Sequence, residues 1–148
     1  MAYPGEEVEP PRQSTREGKA RCSARWLLSA FYMAAGIAHL MRPTGFLAIM
    51  PPWAPYPSDI VALTGVAEIA GAVALHIPRL RRAAGLGLAL YALCVWPANF
   101  HHAINDIPLG GVHPGWWYHG PRLALQPVII WWALWASGVT GWPFFRRG

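Results

Sequence analysis

Six polar side chains lie inside or at the ends of the apolar runs of this sequence, where a polar group is costly unless it has a partner. They carry imidazole, carboxyl, carboxamide and guanidinium groups: His39, Glu68, Asn99, His102, Arg122 and Gln126. Most of these groups donate hydrogen bonds, and the carboxyl and imidazole groups also exchange protons. They are therefore candidates for a pocket that binds a polar headgroup or relays protons. The alternative interpretation is that they only join helices through hydrogen bonds.

Residues 83–102 carry two of these side chains and organise the rest of the chain. The segment begins as an uncharged apolar run and ends in a polar stretch that contains Pro97, Asn99 and His102. Proline has no amide hydrogen and crowds the preceding helical turn, so a kink is expected at Pro97. Asn99 is well placed to satisfy the backbone group that the proline frees. An apolar run with a polar end is therefore interpreted as a membrane-spanning helix whose end contributes to a polar site.

The depth of the polar residues can be counted along their helices. At about 1.5 Å per residue from the basic ends of the runs, His39 and Asn99 both lie roughly 20–25 Å along. Gln126 falls in the same layer, whereas Glu68 lies deeper, near the middle of its run. A carboxyl group at that depth requires a partner, and His39 is the nearest candidate by helix order.

No metal site is predicted, although the chain contains six histidines. The Glu-x-x-His pairs of di-iron bundles are absent, and His101 and His102 cannot both face one ion from a regular helix. Cys22 and Cys94 form no disulfide or Cys-x-x-Cys spacing, and no phosphate loop or nucleophile elbow occurs. The chain is therefore not expected to act as a stand-alone enzyme.

The composition is that of a membrane protein. Hydrophobic residues make up 54% of the chain and charged residues 13%, against about 25% charged residues in soluble domains. The nine tryptophans suit the aromatic belts of a bilayer. The net charge of +5 does not indicate a nucleic-acid partner, because the basic residues lie between the apolar runs rather than on one face beside stacking aromatics. The lipid bilayer is the expected partner.

The apolar runs predict an all-α fold, a four-helix transmembrane bundle formed by residues 26–139. Residues 43–58 are too rich in proline to span as a helix and are expected to lie in the interface. Residues 103–121 are expected to form a structured loop at the outer surface. Residues 1–25 are polar and predict a disordered cytoplasmic tail, and residues 140–148 predict a short cytoplasmic tail. The predicted spans are residues 26–41, 59–77, 83–102 and 123–139.

The basic residues predict how the bundle is oriented. All twelve Lys and Arg residues except Arg42 and Arg122 fall on one side of the predicted spans. Because positively charged loops stay inside, both termini are expected in the cytoplasm and the protein in the cell (inner) membrane.

Short motifs occur in order across most of the chain: Gly36-Ile-Ala-His39, Arg42-Pro43, Pro51-Pro52-Trp53, Gly65-Val-Ala-Glu68, Pro78-Arg79, Pro97-Ala98-Asn99, and Arg122 with Gln126-Pro127. With these motifs the chain resembles the DoxX-like family of small integral membrane proteins. The resemblance implies a four-helix membrane bundle. The namesake of that family is similar to the membrane subunit of a thiosulfate:quinone oxidoreductase, and other relatives associate with membrane redox complexes. Eukaryotic relatives instead assist receptor assembly.

Two functions are consistent with these observations. The first is a quinone-linked subunit of a membrane redox complex, in which His39, Asn99, Gln126 and Arg122 donate hydrogen bonds to carbonyl oxygens. The chain departs from a simple redox protein because it has no cysteine pair and no flavin or haem motif. The second is a non-catalytic assembly factor that binds a redox or receptor-type partner protein through an aromatic outer surface, which consists of Trp116, Trp117 and Tyr118. A proton-coupled carrier is a third and weaker alternative.

Overall fold

The computed structural model describes residues 12–141, and within that range the chain forms five helices and no strand. The all-α class predicted from the sequence is therefore confirmed for this part of the chain. Four of the helices are long, and the short second helix lies between the first two long ones. The helices are α1 (Arg12–Met41), α2 (Pro43–Ala48), α3 (Pro57–Ala74), α4 (Arg81–Asn105) and α5 (Gly115–Ala136).

The four long helices pack around one another in the order α1, α3, α4, α5, with α5 returning to α1. The tightest pairs are α1 with α3 and α4 with α5, and α2 lies against α3 and α1. Each pair is antiparallel. Ser29 of α1 donates to the Ala72 carbonyl of α3 at 2.9 Å, whereas Gly36, further along α1, lies against Gly65, earlier in α3. In the same way Ala92 of α4 accepts from Gln126 of α5 at 2.6 Å, whereas the later His102 contacts the earlier Arg122. Chain reversal at every connection brings the ends of neighbouring elements together at two opposite ends of the molecule.

The hydrophobic core fills only one of these two ends. Its buried cluster contains Leu28, Leu75, Leu88 and Ala133, from all four long helices. Leu28 lies near the middle of α1, Leu88 lies in the first third of α4, and Leu75 and Ala133 lie at the ends of α3 and α5. The other end of the molecule contains the cavity described below.

Two glycines make a close crossing between α1 and α3. A Cβ atom added to Gly36 would lie 2.6 Å from the carbonyl oxygen of Gly65, and one added to Gly65 would lie 3.0 Å from that of Gly36. Helical side chains lean back towards the N-terminus of their helix. In an antiparallel pair, His39 and Glu68, each one turn beyond its glycine, therefore lean towards the crossing and meet there.

Helix α1 begins at Arg12, within the segment 1–25 for which the sequence predicts a disordered tail. For residues 12–25 the prediction differs from the structure, and residues 1–11 lie outside the described range. Arg21 donates to the carbonyl of Thr140 at 3.4 Å, and Arg25 donates to that of Ala136 at 3.2 Å. The last carbonyls of a helix lack partners within it and attract cations. The prediction of a disordered tail considered only the apolar surface that this segment could bury, so it left out the hydrogen bonds of Arg21 and Arg25.

Helix α5 begins at Gly115, eight residues before the predicted span 123–139, so the predicted loop 103–121 reduces to residues 106–114. Gly115 has a φ of +66°, which favours glycine, and its amide donates to the Asp106 carboxylate at 3.2 Å. The predicted interfacial stretch 43–58 also contains a helix, α2, which starts at a proline as first helical turns permit. The predicted tail 140–148 lies outside the described residues from 142 onward.

Two helices are long and apolar enough to cross a membrane, α3 and α4, with mean hydropathies of 1.3 and 1.4 over their most apolar windows. Only 22% and 28% of those windows are buried within the protein. The large apolar side chains of these helices point outwards instead, as Leu63 and Leu90 do with exposures of 68% and 61%. The core helices of soluble proteins bury most of such a window.

Candidate ligand cavity

A cavity of about 570 Å³ lies between the helices at the end away from the core. All five helices contribute to its walls, and most of the walls are aliphatic or aromatic. Five of the six candidate residues line it: His39, Glu68, Asn99, Arg122 and Gln126. The sixth, His102, does not line the cavity but lies directly behind Arg122. The structure therefore brings the predicted polar residues of four helices to one place.

Glu68 and His39 form the deepest polar contact of the cavity. Glu68 is 4% exposed, and its Oε2 lies 2.9 Å from Nδ1 of His39, the partner that helix order predicts. The same Nδ1 lies 3.0 Å from the carbonyl oxygen of Ala35, with better alignment for a hydrogen bond. Because one N–H serves two acceptors, Glu68 Oε2 has no well-aligned donor among the described residues. The ring of His39 is held in place by Phe46, which stacks on it at 3.7 Å.

Two tyrosines complete the surroundings of Glu68, and the sequence did not predict either as a site residue. Tyr32 is 2% exposed, and its hydroxyl donates to the carbonyl of Leu88 at 3.4 Å. Tyr91 on α4 lines the cavity together with Glu68 and Thr64. Tyr32 shares one helix face with Gly36 and His39 in the sequence, which is a signal for it. Tyr91 lies in an apolar run with no such signal, because only the packing of α4 on α3 brings it to Glu68.

Arg122 and His102 form the outer polar contact. Nε2 of His102 donates to the carbonyl of Ile107 at 2.9 Å, so its Nδ1 accepts a hydrogen bond from Arg122 Nη1 at 2.8 Å. These two partners select the neutral Nε2–H tautomer of a fully buried ring. The guanidinium group of Arg122 also lies 5.7 Å from the ring centre of Tyr118, in a cation–π contact. Arg122 is therefore held firmly at the edge of the cavity.

Asp106 joins the end of α4 to the start of α5. Besides accepting from the Gly115 amide, its carboxylate lies 3.3 Å from His119 Nε2 and 3.2 Å from His113 Nδ1. Partial desolvation raises the pKa of this carboxyl group, but the Gly115 hydrogen bond and the two histidines outweigh it and lower the pKa below its ordinary value. His119 is 2% exposed, so the residue predicted to lie in a surface loop is instead buried against His102, with ring centres 4.6 Å apart.

We expect Asp106→Asn to lower the melting temperature at neutral pH and to lose that effect in acid. A lowered pKa in the folded state means that the charged carboxylate stabilises the fold above its unfolded pKa of about 3.9. That stabilisation disappears as the pH falls through the folded pKa. Melting temperatures of wild type and variant, measured between pH 2 and pH 7, should begin to converge below about pH 4 and should coincide once the pH lies below the folded pKa. A difference that stays constant over this range would contradict the role given to the charge.

The structure thus defines an all-helical protein with a ligand-sized, mainly apolar cavity and a few buried polar groups. Among the described residues, no group of three or more His, Cys, Asp or Glu side chains is placed to hold a metal ion. Residues 28–137 match a domain family of unknown function, DUF8561, and the chain belongs to that family. No curated protein and no solved structure matches the chain.

Proposed function

We propose that this chain is a four-helix integral membrane protein that binds the headgroup of a quinone as a subunit or partner of a membrane redox complex. The observation that carries the proposal is the cavity, in which the hydrogen-bond donors of Asn99 on α4 and Arg122 on α5 face a space with apolar walls. Its volume of about 570 Å³ falls within the roughly 300–1,000 Å³ of small-molecule sites. The resemblance to the DoxX-like family supports the same class of ligand.

The surface of the molecule supports a location in the membrane for all four long helices. The shortest, α3, has 18 residues and a length of about 27 Å, close to the roughly 30 Å hydrocarbon core of a bilayer. Both α1 and α5 carry exposed large apolar residues away from the cavity, including Leu27, Ile37 and Val128. The basic residues of the α3–α4 turn and of α1 lie at the core end of the molecule, which by the positive-inside rule faces the cytoplasm. The cavity then lies in the outer leaflet of the inner membrane.

The polar groups of the cavity differ in their freedom to bind a ligand. The Gln126 amide nitrogen already donates to Ala92, so it is not a free donor. Asn99 and Arg122 remain as donors for a carbonyl oxygen. Glu68 and His39 lie where they can exchange a proton with a reduced ligand, since reduction of a quinone to a quinol takes up two protons and two electrons. The electrons would come from the partner complex, which is why the chain is not proposed as an enzyme by itself.

A short-chain benzoquinone with a decyl tail should raise the melting temperature of the detergent-solubilised protein. At one hundred times the dissociation constant the rise should be about 5–10 °C. Asn99→Ala should abolish most of it, because the variant removes a donor inside the cavity. Asn105→Ala is the matched control, since Asn105 lies on the same helix but bonds only to His101 outside the cavity. If saturating quinone leaves the wild-type melting temperature unchanged, the redox proposal fails.

A non-catalytic assembly factor is the second candidate, and one observation favours it. Trp117, in the first turn of α5, is 94% exposed, and its neighbour Trp116 is 67% exposed. Two exposed indole rings beside the cavity mouth suit contact with a redox or receptor-type partner protein. Retention of a co-purified protein by wild type, and its loss in Trp117→Ala, would favour this function over ligand binding.

A further inference from the structure

Arg122 carries a positive charge at the edge of a mainly apolar cavity, and its partners in the protein do not neutralise that charge. One guanidinium nitrogen donates to neutral His102, and the plane of the group faces Tyr118. Neither partner carries a negative charge. A buried or half-buried guanidinium normally pairs with a carboxylate or phosphate, because its desolvation is otherwise uncompensated.

No carboxylate among the described side chains pairs with Arg122. Asp59 is exposed in the first turn of α3. Glu68 lies against His39, and Asp106 lies against His113 and His119. None of them is within ion-pair distance of Arg122.

Asn99 adds a second donor to the same cavity. The residue is only 7% exposed and lines the cavity, yet its side-chain amide makes no hydrogen bond with any described residue. The predicted hydrogen bond from Asn99 to the backbone group freed by Pro97 is therefore absent, and the amide faces the cavity. A ligand with acceptor oxygens would satisfy it together with Arg122.

We infer that the cavity binds an amphiphile through an oxyanion headgroup, with Arg122 as the charge partner and Asn99 as a second donor. The inference shares with the proposed function only the premise that the cavity is a ligand site. It goes beyond that function by giving the cavity a second, negatively charged class of ligand, which would compete with a neutral quinone for Asn99 and Arg122. The apolar walls, including Phe31, Val95 and Ile129, exclude a free inorganic anion as the main ligand, because that would leave them without a partner. The headgroup is the carboxylate of a free fatty acid or the phosphate of a bilayer lipid.

Dodecanoate and dodecanol are suitable probes because they have the same alkyl chain and differ in charge. We expect dodecanoate at pH 7.5 to raise the melting temperature of the full chain in a non-ionic detergent by about 5–10 °C at one hundred times its dissociation constant. Dodecanol should give a much smaller shift. Equal shifts for the two probes would overturn the inference, and this comparison needs only the wild-type protein.

Arg122→Gln should weaken dodecanoate binding about 10–100-fold, as expected for loss of a charged hydrogen bond. Arg79→Gln is the matched control, because it removes the same charge from the exposed turn between α3 and α4, at the opposite end of the molecule. Arg122→Lys keeps the charge and should retain part of the binding. Equal dodecanoate affinity in the two glutamine variants would show that the anion binds elsewhere and would refute the inference.

The source of the headgroup is resolved by native mass spectrometry with dodecanoate and dioleoyl phosphatidylglycerol in competition. Retention of phosphatidylglycerol that depends on Arg122 indicates a lipid phosphate, and displacement by dodecanoate indicates a fatty acid. The decyl benzoquinone separates this inference from the proposed function. A shift with quinone but not with dodecanoate overturns the inference of an oxyanion ligand and leaves the quinone proposal standing. A shift with dodecanoate but not with quinone refutes the quinone proposal and supports the oxyanion ligand.

Discussion

Glu68→Leu is expected to lower the free energy of unfolding in detergent by about 3 kcal/mol, because it removes one side of a buried polar cluster. Glu68 is 4% exposed and is the shared neighbour of His39 and Tyr91. Leucine fills a similar volume but carries no acceptor, so His39 would keep only the Ala35 carbonyl and would lose the carboxylate beside it. The measurement is thermal or denaturant-induced unfolding of the purified protein.

Glu68→Gln is the matched control for this experiment. The amide keeps the shape and one acceptor oxygen of the glutamate, so we expect a loss of less than about 1 kcal/mol. If Glu68→Leu leaves the stability unchanged, the carboxyl group contacts water or lipid headgroups in solution and the buried His39–Glu68 contact does not hold. If both variants lose the same amount, the negative charge itself is required.

Gly36→Ala is expected to destabilise the protein by about 1–3 kcal/mol, the usual cost of overpacking. The added methyl group would lie 2.6 Å from the Gly65 carbonyl oxygen and 2.7 Å from Cγ1 of Ile69. A backbone carbonyl cannot rotate away as a side chain can, so α1 and α3 must separate. This separation would also pull His39 away from Glu68, and dodecanoate or quinone binding should weaken in parallel.

Gly87→Ala provides the control for the effect of alanine on helix stability. Gly87 is also in the interior of a long helix, but a Cβ atom there would meet nothing within 4 Å. Alanine is better than glycine in a helix by about 1 kcal/mol, so this variant should be as stable as wild type or more stable. Equal destabilisation by the two substitutions would show that the α1–α3 crossing is not as close as the structure places it.

The positions of Glu68 and His39 illustrate how far helix counting reaches. Because regular helices have a fixed rise, counting put His39 in the outer layer and Glu68 deeper, near the middle of its run. Helix order, rather than equal depth, named His39 as the partner of Glu68, and the structure has that pair with 2.9 Å between Nδ1 and Oε2. The same counting places Asn99 and Gln126 beside the cavity. It does not show that the Gln126 amide is used by the Ala92 carbonyl, because that contact depends on the distance between α4 and α5.

The sequence by itself determined the helical class, the apolar runs and the level at which the polar side chains lie, because these properties follow from local periodicity and composition. Only the tertiary structure decided the rest. It extended α1 back to Arg12, where Arg21 contacts Thr140 and Arg25 contacts the end of α5, and it extended α5 back to Gly115 through Asp106. It also placed His102 behind Arg122 rather than in the cavity. Each of these outcomes depends on contacts between residues distant in sequence, whose geometry is set by how closely the helices pack and not by any spacing along the chain.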